Sequence, residues 1–172
     1  GEYSALVCSN SIDFSDALYL LYERGNSMQE AVPVGKGSMI AVLGTDLNVL
    51  KDLLKSNIES KGVCEIANDN ANGQAIISGD KDFVEIFQKK LKDQKIKSIP
   101  LKVSAPFHCS LMKPAANIMK EKIDKIKFSK PQVKIISNVT AKGEIDPENI
   151  KRLLVDQIFT TVRWRESIIK MS

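Results

Sequence analysis

The chain has one histidine, His108, in the run Ser104-Ala-Pro-Phe-His-Cys-Ser110, where a strand end gives way to a proline-containing loop. An imidazole titrates near neutrality and can take or give a proton. A histidine in a loop beside a sheet edge is therefore the first place to look for acid–base chemistry. A structural or surface histidine is the plainer reading of the same residue. Arg24 is the second candidate; it lies in an apolar helical pattern between Glu23 and Gly25. A planar guanidinium beside a residue with no side chain can reach into a cleft and grip a carboxylate through two parallel bonds. The alternative is an arginine that snorkels to solvent or pairs with Glu23. The third candidate is the run Asn68-Asp-Asn-Ala-Asn72, which either lines a polar ligand site or is a turn using Asn for its tolerance of left-handed dihedrals. Lys89, Lys90, Lys92, Lys95 and Lys97 read as a solvated face that would also attract an acidic protein.

Composition narrows the chemistry. At 172 residues the chain is sized for one domain, or one domain with an insertion. Hydrophobic residues at 43% and charged residues at 27% fit a packed core, not disorder. The net charge of +4 suits an acidic partner but does not imply nucleic acid, and the strands carry no aromatic pair on which bases would stack. Cys8, Cys64 and Cys109 are odd in number and lack C-x-x-C spacing, so they read as reduced thiols. With a single histidine, a zinc site of the usual kind is not expected. Neither G-x-G-x-x-G nor a P-loop is present, so dinucleotide or ATP binding lacks its phosphate cradle. No apolar run is long enough for a transmembrane helix, and the N-terminal residues show no basic region of a secretory signal.

The elements that must position these residues follow from hydrophobic rhythm. A helix over residues 3–9 is broken by Asn10 and Ser11. A second runs from Asp13, as N-cap, to about Ala31, with Phe14, Ala17, Leu18, Leu21 and Met28 at helical spacing. Pro33, Gly35 and Gly37 form a linker. From 38 to 103 the order changes: strand 38–45, a helix carrying Leu47, Leu50, Leu53, Leu54 and Ile58 capped by Asp46, strands 63–68 and 74–78 joined by the turn 69–73, a helix marked by Phe83, Val84, Phe87 and Leu91, and strand 97–103. That β-α-β-β-α-β order is the ferredoxin-like pattern. A helix 112–127, a strand 133–137, and helices 147–159 and 164–171 complete the chain. The organisation expected is a larger α/β body in two segments, 1–36 and 104–172, interrupted by a small subdomain at 37–103.

These motifs resemble one family. Gly1-Glu-Tyr-Ser-Ala-Leu6 resembles the segment after the nucleophilic serine of malonyl-CoA:acyl carrier protein transacylases, whose elbow reads G-H-S-L-G-E-Y-S-A-L. Tyr22-Glu-Arg-Gly-Asn-Ser-Met-Gln29, continuing into Glu30-Ala-Val-Pro33, resembles the family's R-G-x-x-M-Q helix. Ser104-Ala-Pro-Phe-His-Cys-Ser-Leu-Met-Lys-Pro114 resembles the segment with its catalytic histidine. Asn138-Val139 and Asp156-Gln-Ile-Phe-Thr-Thr-Val-Arg-Trp164 match further landmarks, so the resemblance extends over essentially the whole chain.

The resemblance implies an α/β-hydrolase-like body, partial here, with an inserted ferredoxin-like subdomain. It implies transfer of a malonyl group from coenzyme A to acyl carrier protein through a malonyl-serine intermediate, in fatty acid biosynthesis. His108 then matches the general base, Gln157 the glutamine whose backbone carbonyl orients the histidine, and Arg24 the arginine that binds the malonyl carboxylate. Phe107 resembles the bulky residue that crowds out a methyl branch. The partners implied are malonyl-CoA, as substrate with no further cofactor, and acyl carrier protein, for a cytoplasmic, monomeric enzyme with no nucleic acid or membrane partner. The alternatives are a catalytically silent fragment and a small-ligand binding module. One departure matters: the nucleophilic serine would stand two positions before Gly1, so residues 1–172 alone are expected to be inactive. Ser4, one turn into the helix and expected to face whatever that helix packs against, cannot replace it.

Overall fold

The computed structural model describes residues 1–56 and 62–172. Two helices come first, α1 (Glu2–Cys8) and α2 (Phe14–Glu30), separated by Asn10 at φ 58°. Asparagine is among the few residues with a side chain that take this conformation readily. Asp13 holds the N-cap position of α2, yet its carboxylate makes no capping hydrogen bond. The buried stripe of α2 is Ala17, Leu20, Ser27 and Met28, whereas Phe14, Leu18 and Leu21 are exposed. Two apolar sets share this helix, and spacing alone does not say which one meets the core.

Next come β1 (Gly37–Leu43), α3 (Leu47–Lys55), β2 (Cys64–Ala71), β3 (Gln74–Asp80), α4 (Lys81–Asp93) and β4 (Lys97–Pro100). The strands form one antiparallel sheet in the order β2-β3-β1-β4. Its two faces follow the period-two alternation. Ile40 and Val42 oppose Ile77 and Ala75 and pack with Leu50, Val84, Phe87 and Leu91 of the helices. On the other face, Met39, Ala41 and Ile76 join Ala67, Leu101 and Phe107. Asp46 caps α3 by accepting from the Asn48 backbone N–H at 2.8 Å. Ile58, expected in this helix, lies outside the described residues.

The polar run after Asn68 is strand, not turn. β2 continues to Ala71, and the hairpin loop is Asn72-Gly73 alone, with Gly73 at φ 72°. Register shifts between Ile66 and Asn68, and again between Asp69 and Ala71, keep this run in the sheet. Its one buried charge, Asp69, is gripped by Arg165, whose Nη2 donates at 2.8 Å and Nε at 2.9 Å. β4 ends at Pro100, three residues earlier than expected; the Leu101 N–H still donates to the Met39 carbonyl at 2.9 Å before the chain leaves the sheet, and Pro100 is tolerated because β4 is an edge strand.

The remaining elements are α5 (Lys113–Asp124), a small ladder of β5 (Ile135–Ile136) with β6 (Gly143–Glu144), α6 (Pro147–Asp156) and α7 (Trp164–Met171). α5, β5 and α6 are shorter than their hydrophobic patterns suggest; α6 gives way at Gln157, its C-cap. A second cluster gathers Leu6, Leu20 and Met28 from the start of the chain with Met112, Met119, Ile123, Ile150, Leu154 and Ile158 from its end. The sheet joins this part along the edge of β2, where Val162 donates to the Ala67 carbonyl at 2.8 Å and accepts from the Asp69 N–H at 2.9 Å. Among the described residues no helix is long and apolar enough to cross a membrane.

A second junction depends on a glycine. A Cβ on Gly37 would stand 2.3 Å from the Pro106 ring, so the start of β1 lies flush against the loop that leads to His108. Gly37→Ala is expected to lower stability by about 1–3 kcal/mol through overpacking. Gly25→Ala, where a Cβ meets nothing within 4 Å on a helix, is expected to raise it by about 0.5–1 kcal/mol. Urea-unfolding midpoints that move in these opposite directions would bear out the contrast.

Candidate functional site

His108 stands at φ 57° between two fixed points. Before it, Pro106 is buried against Gly37 and its carbonyl accepts from the Cys109 thiol at 3.1 Å. After it, Ser110 is held by Glu65 of β2, at 2.6 Å from its Oγ and 2.9 Å from its backbone N. A residue with a side chain occupies that φ only when its surroundings enforce it.

The imidazole Nδ1 lies 2.9 Å from the Gln157 carbonyl oxygen. A carbonyl can only accept, so Nδ1 carries the proton and Nε2 keeps its lone pair. Gln157 caps the C-terminus of α6, so its carbonyl is one of the helix's orphan acceptors. The negative end of the helix dipole adds to its pull on a cationic ring. A main-chain carbonyl can thereby do orienting work otherwise given to a carboxylate. Burial, foremost, and the nearby Arg24 charge push the His108 pKa below its ordinary value of 6.5, against the opposing effect of the Gln157 bond. The ring is neutral at pH 7 and suited to act as a base.

Arg24 reaches the same residue from α2. Its Nη2 donates to Gln157 Oε1 at 2.9 Å. Glu23, its neighbour in sequence, instead bonds Lys122 at 3.0 Å. The Arg24 Nε is buried with no partner among the described residues, and burial lowers the guanidinium's pKa; an arginine nevertheless keeps its charge in a protein. From Gln157 the network continues: Nε2 donates to Asn138 Oδ1 at 3.2 Å, and the Asn138 backbone N donates to Glu2 Oε1 at 3.1 Å. Glu2 Oε2 and the Tyr3 hydroxyl are buried without partners among the described residues. Burial raises the Glu2 pKa and pushes Tyr3 up to about 12. A buried cation with unused donors beside a neutral imidazole can bind a carboxylate and move a proton next to it.

The residues singled out in the sequence divide accordingly. His108, Gln157 and Arg24 are brought together. Phe107 is half-buried and packs against both the cluster shared by the two ends of the chain and the sheet face. Ser4 is exposed, because the buried stripe of α1 is Glu2, Tyr3 and Leu6. Cys109 is fully buried, with its thiol turned to Pro106. The Asn-rich run borders a separate polar cavity of about 320 Å³ with Asp46, Lys51 and Arg165. Glu2, Asn138 and Glu65 were not assigned roles from the sequence. The only sequence signal for Glu2 is its i, i+4 spacing from Leu6, which places the acid on the apolar face of a short helix. Among the described residues no cluster of His, Cys, Asp and Glu could hold a metal ion.

The family model described as the acyl transferase domain matches residues 1–171. The malonyl CoA-acyl carrier protein transacylase of Bacillus subtilis is 42% identical over 172 residues, covering 99% of this chain and 54% of the relative. That of Escherichia coli K12 is 41% identical, covering 100% of this chain and 56% of the relative. The solved structure of the Coxiella burnetii malonyl CoA-acyl carrier protein transacylase superposes with a TM-score of 0.96 at 35% identity, over 99% of this chain and 54% of that one. A malonyl-transacylase solved in complex with its type II polyketide acyl-carrier protein gives a TM-score of 0.91 at 41% identity, over 95% and 53%. The chain thus spans about half the length of the relatives it matches.

The buried imidazole makes a pH prediction. The unfolded chain binds a proton at His108 near pH 6.5 and the folded chain at a lower pH, so stability falls as pH drops through that interval. Glu2, with its raised pKa, acts in the opposite sense at acid pH, so the comparison is with His108→Gln. An NMR titration of the single histidine is expected to have its midpoint below 6.5, and the drop in unfolding midpoint across that range is expected to be smaller in the variant. A midpoint at or above the ordinary value contradicts the burial argument.

Proposed function

The chain belongs to the acyl transferase family, and we propose that it forms the histidine-bearing part of a malonyl-CoA:acyl carrier protein transacylase. The observation that carries this reading is that one residue, Gln157, holds His108 by its carbonyl and Arg24 by its side chain. A proton acceptor and a carboxylate receptor thereby share one site. The names of the relatives agree with it.

The proposed reaction is ping-pong. A serine hydroxyl, placed by the family's elbow motif just before the segment that matches Gly1–Leu6, attacks the thioester carbonyl of malonyl-CoA while His108 Nε2 takes its proton. The tetrahedral adduct collapses, the C–S bond breaks, and the imidazolium protonates the departing thiolate. The thiol of acyl carrier protein then attacks the malonyl ester, with His108 again taking the proton, and serine leaves with it. The Gln157 carbonyl stabilises the cationic ring in both halves. Arg24 binds the malonyl carboxylate through the Nε–H that lacks a partner and the Nη protons not given to Gln157. An acetyl group would leave this buried guanidinium unpaired, a larger penalty than a missing methylene. Phe107 narrows the acyl site against a branched malonyl.

The architecture that goes with this reading is a ferredoxin-like subdomain at 37–103 inserted in a partial α/β-hydrolase-like body, 1–36 and 104–172. The order β4-β1-β3-β2, with α3 and α4 over one face, supports the first assignment, and the core shared by both ends of the chain supports the second. Malonyl-CoA is a substrate and no further cofactor is invoked. The enzyme is read as a cytoplasmic monomer.

The test uses a protein in which this chain follows the elbow serine. Arg24→Ala is expected to lower kcat/KM for malonyl transfer by about two to three orders of magnitude and to shift preference toward uncharged acyl groups. Retained preference for malonyl over acetyl removes the carboxylate-binding role. His108→Ala is expected to slow formation of the acyl-serine by about 10⁴-fold, read by rapid quench with labelled malonyl-CoA.

A further inference from the structure

The bond between His108 and Gln157 joins two segments that are both anchored on strand β2. Glu65 faces the His108 loop, while its neighbours Cys64 and Ile66 pack on the opposite, helix-covered side of the sheet. Its carboxylate holds Ser110 twice, at 2.6 Å from Oγ and 2.9 Å from the backbone N. Ser110 lies two residues beyond the positive φ of His108, so this grip closes the turn on its far side, where Cys109 and Pro106 close it on the near side. The next two residues of the strand hold the other partner. Thr161 Oγ1 donates to the Ile66 carbonyl at 2.6 Å, and the Val162 N–H donates to the Ala67 carbonyl at 2.8 Å, four and five residues after Gln157. Three consecutive residues of β2 therefore set the distance between the imidazole and its acceptor.

We propose that Glu65 is a positioning residue for His108: by fixing Ser110 against β2, its carboxylate holds the histidine turn at the φ that aims Nδ1–H at the Gln157 carbonyl. Ser110 presents two donors, and a carboxylate, with two oxygens and no donor of its own, is matched to both at once. Released from it, the turn would relax toward negative φ and swing the ring off its acceptor. The geometric claim stands on the coordinates of residues 65, 108, 110 and 157. Its kinetic consequence rests on the reading of His108 as the general base.

The single histidine makes the geometry directly readable. In ¹⁵N-histidine-labelled protein, exchange of the Nδ1 proton with solvent reports the bond to Gln157. Glu65→Ala is expected to speed that exchange about tenfold or more. Glu65→Gln is expected to stay within about twofold of the native rate, because its amide oxygen can accept from the Ser110 N–H while its NH₂ donates to Oγ. Asp69→Asn, which weakens the Arg165 pair on the same strand, is the control and is expected to leave exchange unchanged. Exchange in Glu65→Ala within about twofold of native overturns the proposal, as does an equal acceleration in the control, which would mark a loosened strand and not a released turn. Should Glu65→Ala fail to fold, Ser110→Ala decides: it removes the 2.6 Å bond, and unchanged exchange overturns the assignment. In the protein carrying the nucleophile, Glu65→Ala is expected to lower kcat for malonyl transfer about tenfold with KM for malonyl-CoA unchanged, since Arg24 is untouched. If His108→Ala leaves transfer intact while Glu65→Ala still frees the imidazole, the catalytic reading fails and the positioning role stands.

Discussion

The structure depends on one residue at the end of a helix that faces two ways. Gln157 offers its main-chain oxygen to His108 and its side-chain oxygen to Arg24. The three residues come from α6, from the loop after β4, and from α2, so the site exists only when both ends of the chain share a core. The cluster that unites Leu6, Leu20 and Met28 with Met119, Ile123 and Leu154 meets that requirement. Its apolar burial brings the two ends together, and the polar network within it then selects one arrangement. Burying an imidazole, a guanidinium and a carboxylate together is unfavourable unless their bonds are met, which favours a single geometry over near alternatives.

The four-stranded sheet has a second role besides being a folded unit. Its helix-covered face is closed and apolar, whereas its other face and its β2 edge are turned toward the site. Gly37 admits the Pro106 ring, Glu65 takes Ser110, and Ile66 and Ala67 receive the chain that follows Gln157. The edge that would otherwise present unpaired backbone groups is thereby covered by a segment with a task.

Much of this was legible in the residues. The strand and helix order from 37 to 103 follows from alternation and helical spacing, and α7 occupies the range its pattern marks. The motifs around Arg24, His108 and Gln157 pointed to residues that do meet. What escaped were features set by partners distant in the chain. Nothing local announces that Asp69 stays in a strand; Arg165, almost a hundred positions later, neutralises it. Nothing in α2 says that Leu20, and not Leu18, turns inward, because that depends on where α5 lies. Glu65 looked like any strand acid until Ser110 was placed opposite it, and Asp13 had the right identity and position for a cap without making the bond.

That His108 leans on a main-chain oxygen has a consequence for how the site can vary. An acid in that place could be deleted by one codon change; a peptide carbonyl is carried by every amino acid. Replacing residue 157 therefore edits only what Arg24 and Asn138 touch, and leaves the imidazole's support in place as long as α6 ends where it does. Under the proposed function, selection can retune acyl preference at this position while proton transfer at His108 is shielded from the same mutations. The two properties, joined in space by a single residue, are separable in inheritance.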